Sequence, residues 1–179
     1  TVVGTNGILV PPPGYLQGIR EICDEHGIVY IADEVMAGFG RCGEWFAVDH
    51  FGVTPDLICF AKGVNSGYVP LGGVIISDRI AASFQDRAFP GGLTYSGHPL
   101  ACASAVASIT IFEEEGILDN VRTLSDKVIA PRLTEIAAKH PSVGEVRGLG
   151  FFWGLELVKD QQTREPLVPF NASGAAAPC

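Results

Sequence analysis

The sequence predicts an α/β fold on three observations. An amphipathic helical pattern precedes residue 27, three short apolar runs rich in β-branched residues follow it, and further helical periodicity appears beyond residue 99. Residues 4–14 are punctuated by Gly and Pro and read as a loop leading into a helix. Tyr15, Leu16, Ile19, Ile22, Cys23 and His26 recur at helical spacing, and Gly27 supplies the stop. Residues 28–32 (IVYIA) form a continuous apolar run, as in a parallel strand covered on both faces, and residues 57–61 (LICFA) and 73–76 (GVII) repeat it. Pro99 suits a first helical turn, and the small-residue stretch 100–115 continues as a helix ending at Gly116. Glu113, Glu114 and Glu115 oppose the helix dipole there, which predicts a solvated end. Leu118, Val121, Leu124, Val128 and Ile136 then recur at helical spacing, interrupted by Pro131, where a kink or break is expected. Residues 143–158 hold two strand-like pieces, VGEVRG and FFWGLELV, and beyond Lys159 the reading is loop. The pattern changes near Glu115, which divides the chain into expected domains 1–115 and 116–179.

With 179 residues, 47% of them hydrophobic and 18% charged, the chain has a globular composition, and no apolar run approaches the roughly 20 residues of a membrane-spanning helix. Twelve basic against twenty acidic side chains give a formal charge of −8, with no stripe of Lys and Arg, so neither nucleic acid nor membrane is an expected partner. Cys23, Cys42, Cys59, Cys102 and Cys179 are scattered, without a C-x-x-C pair or a metal-ligand rhythm with the four histidines. They read as reduced, mostly buried thiols of a cytoplasmic protein that binds no metal. Asn171-Ala172-Ser173 fits a glycosylation acceptor, but no signal peptide accompanies it.

Two charged residues each end an apolar run: Asp33 follows IVYIA and Lys62 follows LICFA. Ligands of open α/β sheets bind at the carboxyl ends of the strands, so neighbouring strands would deliver both side chains to one crevice. A lysine emerging from an apolar strand is expected to be partly desolvated, which favours a nucleophilic amine able to form a Schiff base. The alternative is a structural ion pair at a strand end. Gly38, Gly40 and Gly43 match G-x-G-x-x-G after a strand, which would make a nucleotide-binding module, but five residues intervene and no clear amphipathic helix follows. Residues 91–99 (GGLTYSGHP) combine flexible backbone, hydroxyls and a helix start, which suits either a phosphate or a simple capped turn. No G-x-S-x-G occurs, and His26, His50, His98 and His140 read as structural or exposed.

These residues carry a resemblance. The run Ile31-Ala-Asp33-Glu34-Val35-Met-Ala-Gly38-Phe-Gly40-Arg41-Cys-Gly43, then Pro55-Asp56, Ala61-Lys62-Gly63, Pro70-Leu-Gly72-Gly73 and Thr94-Tyr-Ser-Gly97-His-Pro99, resembles the class III pyridoxal-phosphate aminotransferases. It extends from Gly4 to Glu156 and looks most like the ω-amino acid and amine:pyruvate transaminases. The resemblance implies a fold type I architecture, here the second half of the large domain, with a mixed, mostly parallel sheet, and the start of a small α/β domain. It implies a transaminase that takes an amino donor and a 2-oxo acid and works as a homodimer or higher homo-oligomer. Lys62 would be the Schiff-base lysine and proton-transfer base, and Asp33 would pair with the pyridine nitrogen of pyridoxal 5'-phosphate. Val35 would pack on the ring, and Thr94 would bind the phosphate across the dimer interface. Glu34 and Arg41 belong to the signature without an assigned chemistry. Met36 stands where many members carry a Gln, and the family's chains are much longer. An aminomutase on the same scaffold would use Lys62 and Asp33 alike.

Overall fold

A computed structural model describes residues 1–169. The Asn171 sequon and Cys179 lie outside them.

Helix α1 (Tyr15–His26) opens at Gly14 and closes at Gly27, whose φ of 64° lets its N–H reach back to the Asp24 carbonyl. The first strand, β1 (Ile31–Asp33), is shorter than the apolar run that announced it. Ile28 spends its N–H on the Cys23 carbonyl to close α1, and the Tyr30 N–H goes to the Asp56 carboxylate, so ladder pairing starts only at Ile31. β2 (Leu57–Phe60) lies parallel to β1, with Asp33 opposite Cys59. β3 (Gly73–Ile76) pairs antiparallel with β2, which corrects the parallel reading of the third run. The connection between them carries only a single 3₁₀ turn (Lys62–Val64), too little for the crossover a parallel return needs, and an apolar run does not encode its direction. The sheet is therefore mixed, in the order β1-β2-β3. Nor is it covered on both faces by these residues: Ile31, Val74, Ile75 and Ile76 are exposed.

After the short α2 (Asp78–Ala82), the long α3 (Pro99–Glu114) stops just before Gly116 with its acidic end in solvent, as expected. α4 (Ile117–Leu124) and α5 (Ala130–Lys139) are joined by five π-helical residues, Ser125–Ile129. The interruption expected at Pro131 takes this form: without an N–H on Pro131 the i→i+4 ladder cannot continue, and the turn before it widens instead of breaking. β4 (Val143–Leu149) and β5 (Phe152–Asp160) form an antiparallel hairpin. β6 (Glu165–Pro166) extends it, against the loop reading beyond Lys159: the Asp160 carboxylate accepts the Gln162 and Thr163 N–H groups and so builds the turn that brings the chain back.

A core of Val2, Ala37, Cys42 and Ala47, with Ile8, Leu149 and Phe152 packed on it, joins the opening segment, the turn after β1 and the β4–β5 hairpin. The Phe151 N–H donates to the Arg41 carbonyl at 2.8 Å, and Arg147 Nε to the Gly7 carbonyl at 2.7 Å. Gly150, at φ 60°, turns the hairpin against the Cys42 backbone, where a Cβ would collide. Of the described thiols, Cys23 and Cys42 are buried while Cys59 is half-buried and Cys102 exposed, so burial is less general than expected. Burial, with Glu34 nearby, pushes the Cys42 thiol up to about 12. Among the described residues no cluster of His, Cys, Asp and Glu could hold a metal, and no helix is long and apolar enough to cross a membrane.

The lower end of the sheet is tied by Asp56, which precedes β2. Its Oδ2 accepts the Tyr30 N–H at 2.8 Å and Arg20 at 3.0 Å, and its Oδ1 accepts Arg79 at 2.6 Å. One buried carboxylate thus joins α1, β1, β2 and α2. Burial alone would raise its pKa, but the donors from Arg79, Tyr30 and Arg20 together hold it at about 2, below the ordinary 3.8. A group depressed on folding contributes stability that is complete above its unfolded pKa and lost as the pH falls through its folded one, here about 2 kcal/mol lost between about pH 4 and pH 2. Asp56→Asn in the full-length protein is expected to cost about 2–3 kcal/mol in urea unfolding at neutral pH. The gap from the unsubstituted protein should hold down to about pH 5 and close below about pH 4. A gap that stays constant to about pH 2.5 would contradict this assignment.

Candidate active site

Because β1 and β2 are parallel neighbours, their carboxyl ends share one edge of the sheet. Asp33 is the last residue of β1, and Lys62 opens the 3₁₀ turn immediately beyond β2. Both line one cleft of about 260 Å³, together with Val35, Met36 and the opening residues 1–5. The two side chains do not pair with each other. Asp33 Oδ1 instead accepts the Val35 N–H at 3.0 Å. That geometry disfavours the structural ion pair and leaves an amine and a carboxylate oxygen turned to a common space.

Lys62 has a φ of 45°, in the left-handed region that a residue with a Cβ seldom enters. Such a conformation costs on the order of 1–3 kcal/mol and persists only where the surroundings enforce it. Here the Val64 N–H closes the turn onto the Ala61 carbonyl, and a Cβ on Gly63 would lie 2.8 Å from that of Phe39. Beyond the turn, buried Asn65 donates to the Val69 carbonyl at 2.6 Å and to Ser104 Oγ on α3 at 3.0 Å. The lysine is thus presented by a turn fixed on both sides. Its side chain is exposed among the described residues, so the desolvation expected of it is not supplied by this stretch of chain.

On the far side of Met36 and Lys62 lies a second, larger cavity of about 510 Å³, walled by Phe39, Arg41, Phe112 and Phe152. Arg41 lines it, and its carbonyl holds the β4–β5 hairpin. Gly38, Gly40 and Gly43 belong to the turns between β1 and the 3₁₀ segment Ala47–Phe51, and no α-helix follows them, so the helix N-terminus a dinucleotide requires is missing there. Thr94 is exposed and lines neither cavity; its loop is a turn in which Ser96 Oγ accepts the Leu93 N–H at 3.3 Å. Asp33, Lys62 and Val35 are therefore brought together within the chain, and Thr94 is not.

Glu34 is the residue that sequence reasoning left without a role. It is fully buried, and its carboxylate accepts the Ala47 N–H at 2.9 Å, the Val48 N–H at 3.1 Å and the Thr1 hydroxyl. Strand alternation offered a signal, since neighbours on β1 face opposite ways and Glu34 must point inward if Asp33 points out.

The cleft suits a ligand whose carbonyl meets the amine and whose cationic nitrogen meets the carboxylate. Comparison with known proteins points the same way. A family model, Aminotransferase class-III, matches residues 1–176. The putrescine–pyruvate aminotransferase of Pseudomonas aeruginosa is 47% identical over 92% of this chain and 36% of its own length. The taurine–pyruvate aminotransferase of Bilophila wadsworthia is 42% identical over 90% and 36%. The crystal structure of taurine:2-oxoglutarate aminotransferase from Bifidobacterium kashiwanohense, in complex with PLP and glutamate, superposes with a TM-score of 0.93 at 47% identity, covering 97% of this chain and 39% of that one. An (S)-enantioselective omega-transaminase from Thermomicrobium roseum superposes at 0.85, with 42% identity over 94% and 38%. The chain spans about a third of the length of the curated relatives it matches. A family match over nearly every residue, shared with solved structures at this similarity, settles the lineage: the chain belongs to the class-III aminotransferase family.

Proposed function

We propose that the whole protein is a pyridoxal-phosphate-dependent transaminase that moves an amino group from an ω-amino acid or amine to a 2-oxo acid such as pyruvate. The observation that carries this reading is the cleft shared by Asp33 and Lys62, where a carboxylate and a primary amine meet without neutralising each other. Relatives named for putrescine or taurine with pyruvate support the donor and acceptor classes. Bound pyridoxal phosphate supplies an electron sink for the bond cleaved at the amino-bearing carbon. Lys62 Nζ would be the amine that holds the cofactor covalently and the base that moves a proton off and back onto the substrate. Asp33 would accept the N–H of the ring nitrogen and so favour its protonated form. Val35, on the same cleft wall, covers a ring face.

Thr94 serves the phosphate in a neighbouring subunit's site, which makes the enzyme a homodimer or higher homo-oligomer, and we place it in the cytoplasm. Residues 1–115 belong to the cofactor-binding large domain, and the small domain starts at 116. Lys62 and Asp33 are exposed in this stretch, so water is excluded from the reaction by the rest of the chain and the second subunit.

In the full-length protein, alanine should form from pyruvate when a terminal amine or ω-amino acid is supplied. An isomerised amino compound formed without any acceptor would assign an aminomutase instead. Lys62→Ala should abolish the visible absorbance of bound cofactor that borohydride bleaches, and lower turnover by at least about 10²–10⁴-fold while the apoprotein keeps its thermal midpoint. Near-normal turnover in that variant would overturn the assignment. Asp33→Asn should still bind cofactor yet transaminate poorly, because losing an opposite charge at contact distance withdraws about 1.4–4 kcal/mol from the protonated ring; unchanged kinetics would return Asp33 to a structural role. Thr94→Ala should weaken cofactor retention more than it lowers the apoprotein midpoint, since a phosphate contact acts on the bound state alone. Equal cofactor affinity in dialysis against the unsubstituted enzyme would contradict the phosphate contact.

A further inference from the structure

We infer that Glu34 is a positioning residue for Asp33: its buried carboxylate fixes the end of β1 so that the neighbouring carboxylate faces the cleft. The inference rests on the reading of Asp33 and Lys62 as cofactor residues. Every polar group of Glu34 is engaged. Its N–H donates to the Cys59 carbonyl of β2 at 2.9 Å, and its own carbonyl accepts the Gly38 N–H at 2.9 Å. Its carboxylate takes the Ala47 and Val48 N–H groups and the Thr1 hydroxyl, in a place with no access to water. Buried carboxylates are costly unless every oxygen finds a donor, so this one holds its partners in a single arrangement.

Those partners surround the site. Cys59 lies opposite Asp33 and three residues before Lys62; Ala47 and Val48 open the 3₁₀ segment that follows the turns after β1; Thr1 lines the same cleft. Asp33, by contrast, has among the described residues only the Val35 N–H to steady its side chain, and that N–H belongs to the residue after Glu34. The orientation of Asp33 therefore depends on the backbone that Glu34 pins. A glutamine at position 34 would keep one acceptor but turn an NH₂ group toward a backbone N–H, and an aspartate would keep the charge while failing to reach both donors.

The test uses full-length enzyme loaded with pyridoxal phosphate labelled with ¹⁵N in the ring, whose resonance reports protonation of the nitrogen Asp33 would face. Glu34→Gln should lower the pH of half-protonation by about one unit, and Glu34→Asp should lower it comparably. Thr1→Val, a milder change that removes one of the three donors, should shift it less and in the same direction, and serves if Glu34→Gln does not fold. Val158→Ala, a core substitution away from the site, should leave the resonance where it is at a matched loss of thermal midpoint. A shift in Glu34→Gln with none in Glu34→Asp would reduce the effect to bare charge and overturn positioning. An equal shift in Val158→Ala, or none in any variant, would overturn it as well. Borohydride reduction of each variant separates the two levels: cofactor recovered on Lys62 with an unmoved resonance refutes the role of Glu34 alone, while cofactor recovered on another lysine refutes the reading beneath it.

Discussion

The site depends on the parallel pairing of β1 with β2. Two strands of three and four residues contribute few ladder hydrogen bonds, so side chains hold their register from both ends. At one end Asp56 gathers Arg20, Arg79 and the Tyr30 N–H; at the other Glu34 gathers the Ala47 and Val48 N–H groups. Each is a buried acid flanked by donors, and each is next to a strand end rather than inside it. At the Glu34 end the sheet edge carries Asp33 and Lys62. A carboxylate and an amine that share a cleft without collapsing into an ion pair need such backbone restraint, because freely moving side chains of opposite charge would find each other.

Restraint of the lysine comes at a conformational cost. Lys62 occupies a left-handed backbone conformation, and the enforcing contacts are close ones: Gly63 against Phe39, and Asn65 against α3 through Ser104. Phe39 in turn stacks edgewise on Phe46 and tilts against Phe60 of β2, with ring centres 5.5 Å apart in both pairs. The glycine-rich turns after β1 therefore serve packing. Gly38 brings its N–H to the Glu34 carbonyl, and Gly63 admits Phe39, so the motif that imitates a dinucleotide fingerprint is part of the scaffold beneath Lys62.

Much of this was legible in the sequence. The helix over Tyr15–His26, the apolar runs, the Pro99 start and the placing of Asp33 and Lys62 at strand ends follow from periodicity and punctuation, which are local signals. The direction of β3 was not, because an apolar run fits either orientation and the connecting chain had to be seen. The exposure of Ile31, Val74, Ile75 and Ile76 and of Lys62 was also invisible: composition marks a strand as fit to be buried, and only the surroundings decide whether it is. Glu34 and Asp56 escaped for a related reason. A buried acid is recognised by its donors, and here these are mostly backbone N–H groups, together with arginines 36 residues before and 23 after Asp56.

Lys62 is the residue on which the proposed site turns. The chain has four lysines, at positions 62, 127, 139 and 159, and Lys62 alone lies at the carboxyl edge of the first sheet. Reduction of the cofactor-loaded full-length enzyme with borohydride, followed by proteolysis and mass spectrometry, fixes the pyridoxyl group to whichever lysine carries it. The mass increment is expected on the peptide spanning residues 42–79, at Lys62. Its appearance on any other lysine, or its absence from every peptide, would contradict the role given to the β1–β2 edge.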